Sequence, residues 1–192
     1  MAALDALDAL DALDALDALY ARILSLPTGP SVPWFLDVDG TLLAEGDPGS
    51  LTDWPTYLHS EVATSAALSV PVTWSPDLVD CVNLLVEIGH VRVRWLTSWG
   101  LEAPLSLAEE LGLRAGRDVV PVPPESQVWW KLQAIRDADP GWCIWTDDYL
   151  AECLAAAEGQ NPNGVTIAPD SERGLTPADL HRILDAIELQ PF

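Results

Sequence analysis

From residue 33 onward, short apolar runs alternate with helix-patterned stretches, and several of the runs end in acids or hydroxyls. Trp34 to Val38 reads as a buried strand, followed by Asp37-Val38-Asp39-Gly40-Thr41 at its carboxyl end. Ser75 and Pro76 open a helix whose core face is Leu78, Val79, Val82, Leu85 and Val86, and Gly89 follows its end. Val91 to Leu96 is the second strand, Leu105 to Leu111 a helix stopped by Gly112, and Val119, Val120 and Val122 a short third strand. Ser126 caps a helix through Arg136, Trp142 to Thr146 is the fourth strand, Asp148 to Glu158 a helix, and Val165 to Ile167 the fifth strand. Thr176 caps the last helix, with Pro177 at its first position. Strands alternating with helices predict an α/β fold, a doubly wound parallel sheet covered on both faces. Ligands of such sheets bind at the carboxyl ends of the strands, near the point where the winding reverses.

Two stretches stand outside this rhythm. Residues 44–74 separate the first strand from its helix, where a few residues suffice. Tyr57-Leu58-His59 and Ser69 to Thr73 within them can pair as a hairpin, which predicts a flap or minimal cap over the site. Residues 3–18 repeat Ala-Leu-Asp. At about 100° per residue a period of three sweeps the leucines round every side of a helix, so the repeat has no apolar face. It predicts a marginal helix frayed at its start, a leader spanning residues 1–26 ahead of a sheet-forming domain over 27–192. Only Leu16, Leu19, Tyr20, Ile23 and Leu24 form one stripe able to dock, before Pro27, Gly29, Pro30 and Pro33 break the helix.

Charge narrows the function classes. Thirty acids stand against nine bases, a net charge of −21. That balance disfavours a nucleic-acid partner held through its phosphates and excludes a polybasic membrane anchor. No apolar run reaches the ~18 residues of a membrane-spanning helix. Cys81, Cys143 and Cys153 show neither CxxC nor Cys/His spacing, which predicts reduced thiols in a cytoplasmic protein and no zinc site.

The strand ends carry the chemistry. Asp37, Asp39 and Gly40 follow the first, Thr97 and Ser98 the second, and Asp147 and Asp148 the fourth; Lys131 is the only lysine in the chain. A carboxylate can attack phosphorus and form an acyl phosphate. A second acid two residues on can protonate the leaving oxygen and then activate water. Gly40 permits a tight turn that brings backbone N–H groups towards a phosphate. A hydroxyl at a neighbouring strand end can hold a phosphoryl oxygen, and lysine offsets negative charge. Mg²⁺ takes oxygen ligands, commonly one or two carboxylates plus substrate phosphate, and Asp37 and Asp147 can supply them.

These residues, in this order, resemble a known family. "WFLDVDGTLL" is similar to the first motif of the haloacid dehalogenase (HAD) superfamily, Thr97 in "VRWLTSW" to its second, Lys131 to its third, and Asp147 with Asp148 in "CIWTDDYL" to its fourth. "WLTSW", "KLQAI", "WTDDYL" and "APDSERGLTPADL" resemble a bacterial small-cap subgroup associated with "Swiss army knife" RNA-repair proteins. The resemblance covers residues 33–188 and implies a Rossmann-like, HAD-like sheet. It implies that Asp37 is the nucleophile and a Mg²⁺ ligand, and that Asp39 is the general acid/base with its backbone carbonyl on the metal. Thr97 or the adjacent Ser98, with Lys131 and Gly40, would hold the phosphoryl group, and Asp147 and Asp148 would complete the metal site. The expected activity is a Mg²⁺-dependent phosphatase or phosphotransferase acting on a small phosphorylated substrate. A polynucleotide-end phosphatase and a non-catalytic binding module are the alternatives. Arg173, His59 and Trp99 are further candidates for contact with substrate, and Tyr57, His59 and Trp74 offer edges on the flap. A basic groove for nucleic acid would require Arg92, Arg94, Arg114 and Arg117 to converge.

Overall fold

The computed structural model describes residues 2–122, 130–138, 140–149 and 162–191, with side chains from residue 12 onward. Four strands form the main sheet: β1 (Val32–Leu36), β4 (Val91–Trp95), β5 (Cys143–Thr146) and β6 (Gly164–Ile167). Their order is β4-β1-β5-β6 and every pairing is parallel. The chain runs outward from β1 to β4, then returns to the other side of β1 for β5 and β6. The winding therefore reverses around the carboxyl end of β1, where Asp37 follows Leu36. The fold is α/β with a parallel sheet, as the alternation predicts.

The expected third strand is reduced to one bridge. Val119 pairs with Trp95 alone, through Trp95 N–H to Asp118 O at 2.8 Å and Val120 N–H to Trp95 O at 2.9 Å. Pro121 follows at once and has no N–H with which to extend the ladder. Pro33, expected to break the chain before the sheet, instead lies inside β1. It pairs with Arg92 of β4, and the ladder to β5 begins only at the next residue, Trp34 opposite Ile144, so its missing donor is tolerated.

Helices cover both faces. α1 (Ala2–Ser25), α2 (Pro76–Glu87) and α5 (Pro177–Glu188) pack on one side; α4 (Trp130–Ala138) packs on the other. Alternation along β1 sends Trp34 and Leu36 into the first core and Phe35 into the second, with Leu132, Ile135 and Trp145. Ser75 caps α2 through Asp77 N–H and Leu78 N–H, and Thr176 and Asp179 form a capping box on α5. The expected helix over Leu105 to Leu111 is a π-type turn, Ala103–Leu107, running into the short helix α3 (Ala108–Leu111). Pro104 removes a donor from its first turn, and Gly112 ends it at φ +71°. Asp148 and Tyr149, where a helix through Glu158 is expected to start, form a turn; the rest of that helix, with Cys153, and the expected start of α4 at Ser126 lie outside the described residues.

The leader is helical from Ala2, further than the expected fraying. Leu19, Ile23 and Leu26 are buried, with Leu16 and Tyr20 packed beside them. Leu24, expected in the same stripe, is 65% exposed. Leu26, just beyond the helix, takes its place in the core. Arg22 ties α1 to α5 through Asp185 and Glu188.

Residues 44–74 form the expected hairpin: β2 (Leu58–Ala63) pairs antiparallel with β3 (Ser69–Trp74). Its base is strapped down. Gly46 N–H reaches Glu172 O, Trp54 Nε1–H reaches Leu175 O at 2.8 Å, and Arg173 forks onto Asp53. No helix among the described residues is long and apolar enough to cross a membrane.

Candidate active site at the carboxyl end of β1

Backbone pairing sets the site. Asp37 N–H donates to Thr146 O at 3.1 Å, and Asp147 N–H to Ile167 O at 3.1 Å, so the ladder continues one residue past each strand. The two carboxylates thus emerge from neighbouring strands. Three successive amides, Thr41, Leu42 and Leu43, turn back onto Val38 O. Gly40 makes this turn possible: it adopts φ +63°, and a Cβ there would lie 2.6 Å from the Asp148 carboxylate. Thr41 Oγ1 accepts from Asp148 N–H at 3.1 Å, joining the β1 turn to the end of β5.

Lys131 comes from the opposite face, on α4. Its ammonium lies 2.6 Å from Asp37 Oδ2 and 2.7 Å from Asp147 Oδ2. All three side chains are buried. Burial works against the charge on Lys131, but Asp37 and Asp147 more than offset it and hold its pKa above the usual value. Burial pushes the Asp37 pKa up to about 7; Lys131 opposes the rise, and the Asp147 charge adds to it. Asp148 is also raised, by burial first and then by the charges of Asp147 and Glu45.

Asp37, Asp147 and Asp148 each bring one carboxylate oxygen to within 4.8 Å of the others. An all-oxygen donor set of this kind fits a hard divalent cation such as Mg²⁺. Cys81 and Cys143 are buried, and burial pushes their thiols up to about 12 and about 11, so neither presents a thiolate.

Asp39 points elsewhere. Its Oδ1 accepts from Trp99 Nε1–H at 2.9 Å, and it lines cavities on both faces of the hairpin. Thr97 is fully buried at the end of β4, its Oγ1 accepting from Trp99 N–H at 3.3 Å; Ser98 is exposed on a cavity wall. Of the further candidates, Trp99 reaches the site through Asp39. His59 lines the second cavity and pairs with Thr73 Oγ1 at 2.9 Å. Arg173 is committed to Asp53, at the end of a turn over residues 171–173 that precedes the Thr176 cap of α5. Trp74 is buried at the hairpin base and Tyr57 is half-buried against the core, so neither is a free edge. Of the four arginines weighed for a basic groove, Arg94 pairs with Asp118 and Arg114 with Glu87.

Reading the sequence for site residues passes over Thr41 and Glu102. Thr41 belongs to the DxDGT string, but its bond to Asp148 becomes visible only once β5 lies beside β1. Glu102 accepts from Ser65 N–H at 3.1 Å, from the Ser65 hydroxyl and from the Ser106 hydroxyl at 2.7 Å, fastening the hairpin tip to the segment after β4. Its hold on the hairpin tip is not marked locally, because Ser65 lies 37 residues away.

Compared with protein-family models, with curated proteins and with solved structures, the chain matches none of them. The functional reading therefore stands on the site.

Proposed function

We propose that the protein is a phosphomonoester hydrolase of the HAD type, working through a phosphorylated Asp37. The observation that carries this reading is the buried Lys131 ammonium, held between Asp37 and Asp147 at two adjacent strand ends, with Asp39 two residues from Asp37. A lysine so placed offsets the charge of both the carboxylate and an incoming phosphate. Asp37, Asp147 and Asp148, with the Asp39 carbonyl that the family resemblance adds, would hold Mg²⁺. When bound, that ion would supply electrophilic stabilisation of the phosphoryl oxygens.

The chain's own groups divide the remaining work. Asp37 is the nucleophile: its oxygen bonds to phosphorus as the ester P–O bond breaks. The electron pair of that bond leaves on the ester oxygen, which takes a proton from Asp39. Asp39 then accepts a proton from the water that attacks the acyl phosphate, releasing inorganic phosphate and restoring Asp37. Thr97 and Lys131 orient the phosphoryl group, and the hairpin limits access.

A small ester is favoured over a polynucleotide end. The charged residues of the 44–74 segment are Glu45, Asp47, Asp53 and Glu61, with no base among them. An acidic flap repels a polyanion more than a single phosphate. The test is phosphate release from a panel of monoesters and end-phosphorylated oligonucleotides, with Mg²⁺ and with excess EDTA. Metal-dependent release from small esters is expected. Full activity in EDTA, or a marked preference for oligonucleotide ends at physiological salt, would overturn the reading.

A further inference from the structure

A cavity of about 420 Å³ opens between the hairpin and the segment after β4. Asp39 and Trp99 form one wall; Ala66, Leu68 and Val70 form the other; Glu102 stands at its edge. Apart from Asp39 and Glu102, its described lining carries no charged side chain, and no base.

The cavity is built in advance. The hairpin tip closes through Thr64 N–H to Leu68 O and Ala67 N–H to Thr64 O, both 2.9 Å. Ala67 takes φ +58°, a conformation uncommon for a residue other than glycine. Glu102 then anchors the tip through Ser65. Its carboxyl is held below the usual carboxylate range by hydrogen bonds from Ser65 and then Ser106. Leu68 is 63% exposed yet remains on the cavity wall, an arrangement that leaves apolar surface uncovered. Volumes of this size accommodate a small organic group, and apolar walls with a few placed polar groups are typical of sites for such ligands.

Its position relative to the chemistry identifies the occupant. Trp99 both lines the cavity and fixes Asp39 Oδ1, so the carboxyl that serves the leaving oxygen sits in the cavity wall. We infer that this cavity receives the alcohol half of the substrate, and that this alcohol is an uncharged apolar or aromatic group. The inference rests on the reading of Asp37 as nucleophile and Asp39 as acid. In the transfer step the ester oxygen takes the bond's electron pair and the Asp39 proton, and departs as a neutral alcohol into the space beside Trp99. An anionic alcohol would meet Asp39 and Glu102 with no counter-charge, whereas a phenyl or alkyl group would cover Leu68, Val70 and the indole face. The hairpin's other face closes a smaller cavity of about 280 Å³, where the apolar lining of Leu43, Pro48, Pro71 and Val72 is interrupted by Glu45, His59 and Thr73 as well as Asp39.

Three alkyl esters with leaving oxygens of comparable basicity test this: 2-phenylethyl phosphate, glycerol 1-phosphate and 4-carboxybutyl phosphate. With Mg²⁺, kcat/KM for the phenylethyl ester should exceed that for each of the others by about tenfold or more, within the range that an apolar pocket discriminates. Leu68→Arg and, separately, Ala66→Asp should reduce the advantage over glycerol 1-phosphate to under about threefold, chiefly through KM. Melting curves matching wild type would establish that each variant is folded. Equal turnover of the three esters overturns this inference and leaves the proposed activity standing. A ratio that responds to His59→Ala and not to Leu68→Arg moves the alcohol to the second cavity and also overturns it. No release from any ester, nor from acetyl phosphate, removes the proposed activity and this inference together.

Discussion

Lys131 holds its ammonium 2.6 Å from the Oδ2 of Asp37, a residue 94 positions earlier in the chain. The pair is buried, and Asp147 shares the same ammonium. Removing the lysine leaves two carboxylates facing each other in a site with little water. Breaking a buried ion pair from one side costs about 3–5 kcal/mol. Lys131→Met should therefore lower the melting temperature, and Mg²⁺ should raise it again by more than it raises that of wild type. Phosphate release should fall as well. Calorimetry with and without Mg²⁺ checks this; a variant with unchanged stability and no added response to metal would contradict the arrangement.

Asp37→Asn preserves the shape of the side chain and a hydrogen bond to Lys131, while removing the nucleophile. Turnover should drop by several orders of magnitude, as it does when a covalent nucleophile is lost. Circular dichroism should show the fold retained. More than about a tenth of wild-type hydrolysis would contradict the assignment.

Much of this site is legible along the chain, because each of its elements is local. Asp37 and Asp39 follow an apolar run, Asp147 and Asp148 follow another, and Thr97 ends a third. The hairpin is legible for the same reason, its two halves alternating within one stretch of 44–74. What one dimension hides is set by partners distant in sequence. The indole of Trp99 meets Asp39 across 60 residues, and Glu102 meets Ser65 across 37. The sheet hides its own edge as well. Val119 and Val120 have strand character, but Pro121 halts their ladder at a single bridge to Trp95. Leu24 fits the helical stripe of α1, yet the core is satisfied by Leu26 from beyond the helix end.

Trp99→Phe tests whether the indole N–H positions Asp39. An aromatic ring remains in the wall, smaller by the five-membered half of the indole, and the 2.9 Å bond is lost. A lost hydrogen bond to a charged group is worth about 1.5–3 kcal/mol, roughly tenfold to a hundredfold in rate if it is felt in the transition state. The loss should be larger for an alkyl ester, which needs its leaving oxygen protonated, than for p-nitrophenyl phosphate. Asp39→Asn should show the same contrast more strongly, with the phosphoenzyme accumulating on the good leaving group. Equal losses on both esters would assign Trp99 to packing alone.

His90 supplies a pH test away from the catalytic groups. It is buried in the turn after α2, where its carbonyl accepts from Val32 N–H at 2.9 Å. Burial lowers its pKa below the ordinary 6.5, so the folded protein resists a proton that the unfolded chain accepts. Its contribution is fully present above pH 6.5 and is lost as the pH falls from there towards the lower folded value. His90→Gln, which cannot charge, should lose less melting temperature than wild type between about pH 7.5 and pH 5.5, a window bracketing the histidine transition. Parallel pH dependence in the two proteins would show that His90 titrates alike folded and unfolded.

The leader supplies the last test, because its two halves differ in what they bury. The repeat through residue 15 has a period of three, which gives its sequence no consistent apolar face, and Leu13 is 50% exposed. Beyond it Leu19 and Ile23 are fully buried between α2 and α5, Leu26 is nearly so, and Arg22 grips Asp185 and Glu188. Each such aliphatic side chain is worth about 1.5–3 kcal/mol of burial before entropy. Conformational entropy returned by freeing the helix offsets part of that sum, but the core would also be left open where α1 meets α2 and α5. Deleting residues 1–15 should thus leave melting temperature and phosphate release close to those of the full chain. Deleting residues 1–26 should lower the melting temperature well beyond the first truncation and reduce soluble yield. Equal melting temperatures for the two truncated proteins would show that the end of α1 does not stabilise the sheet.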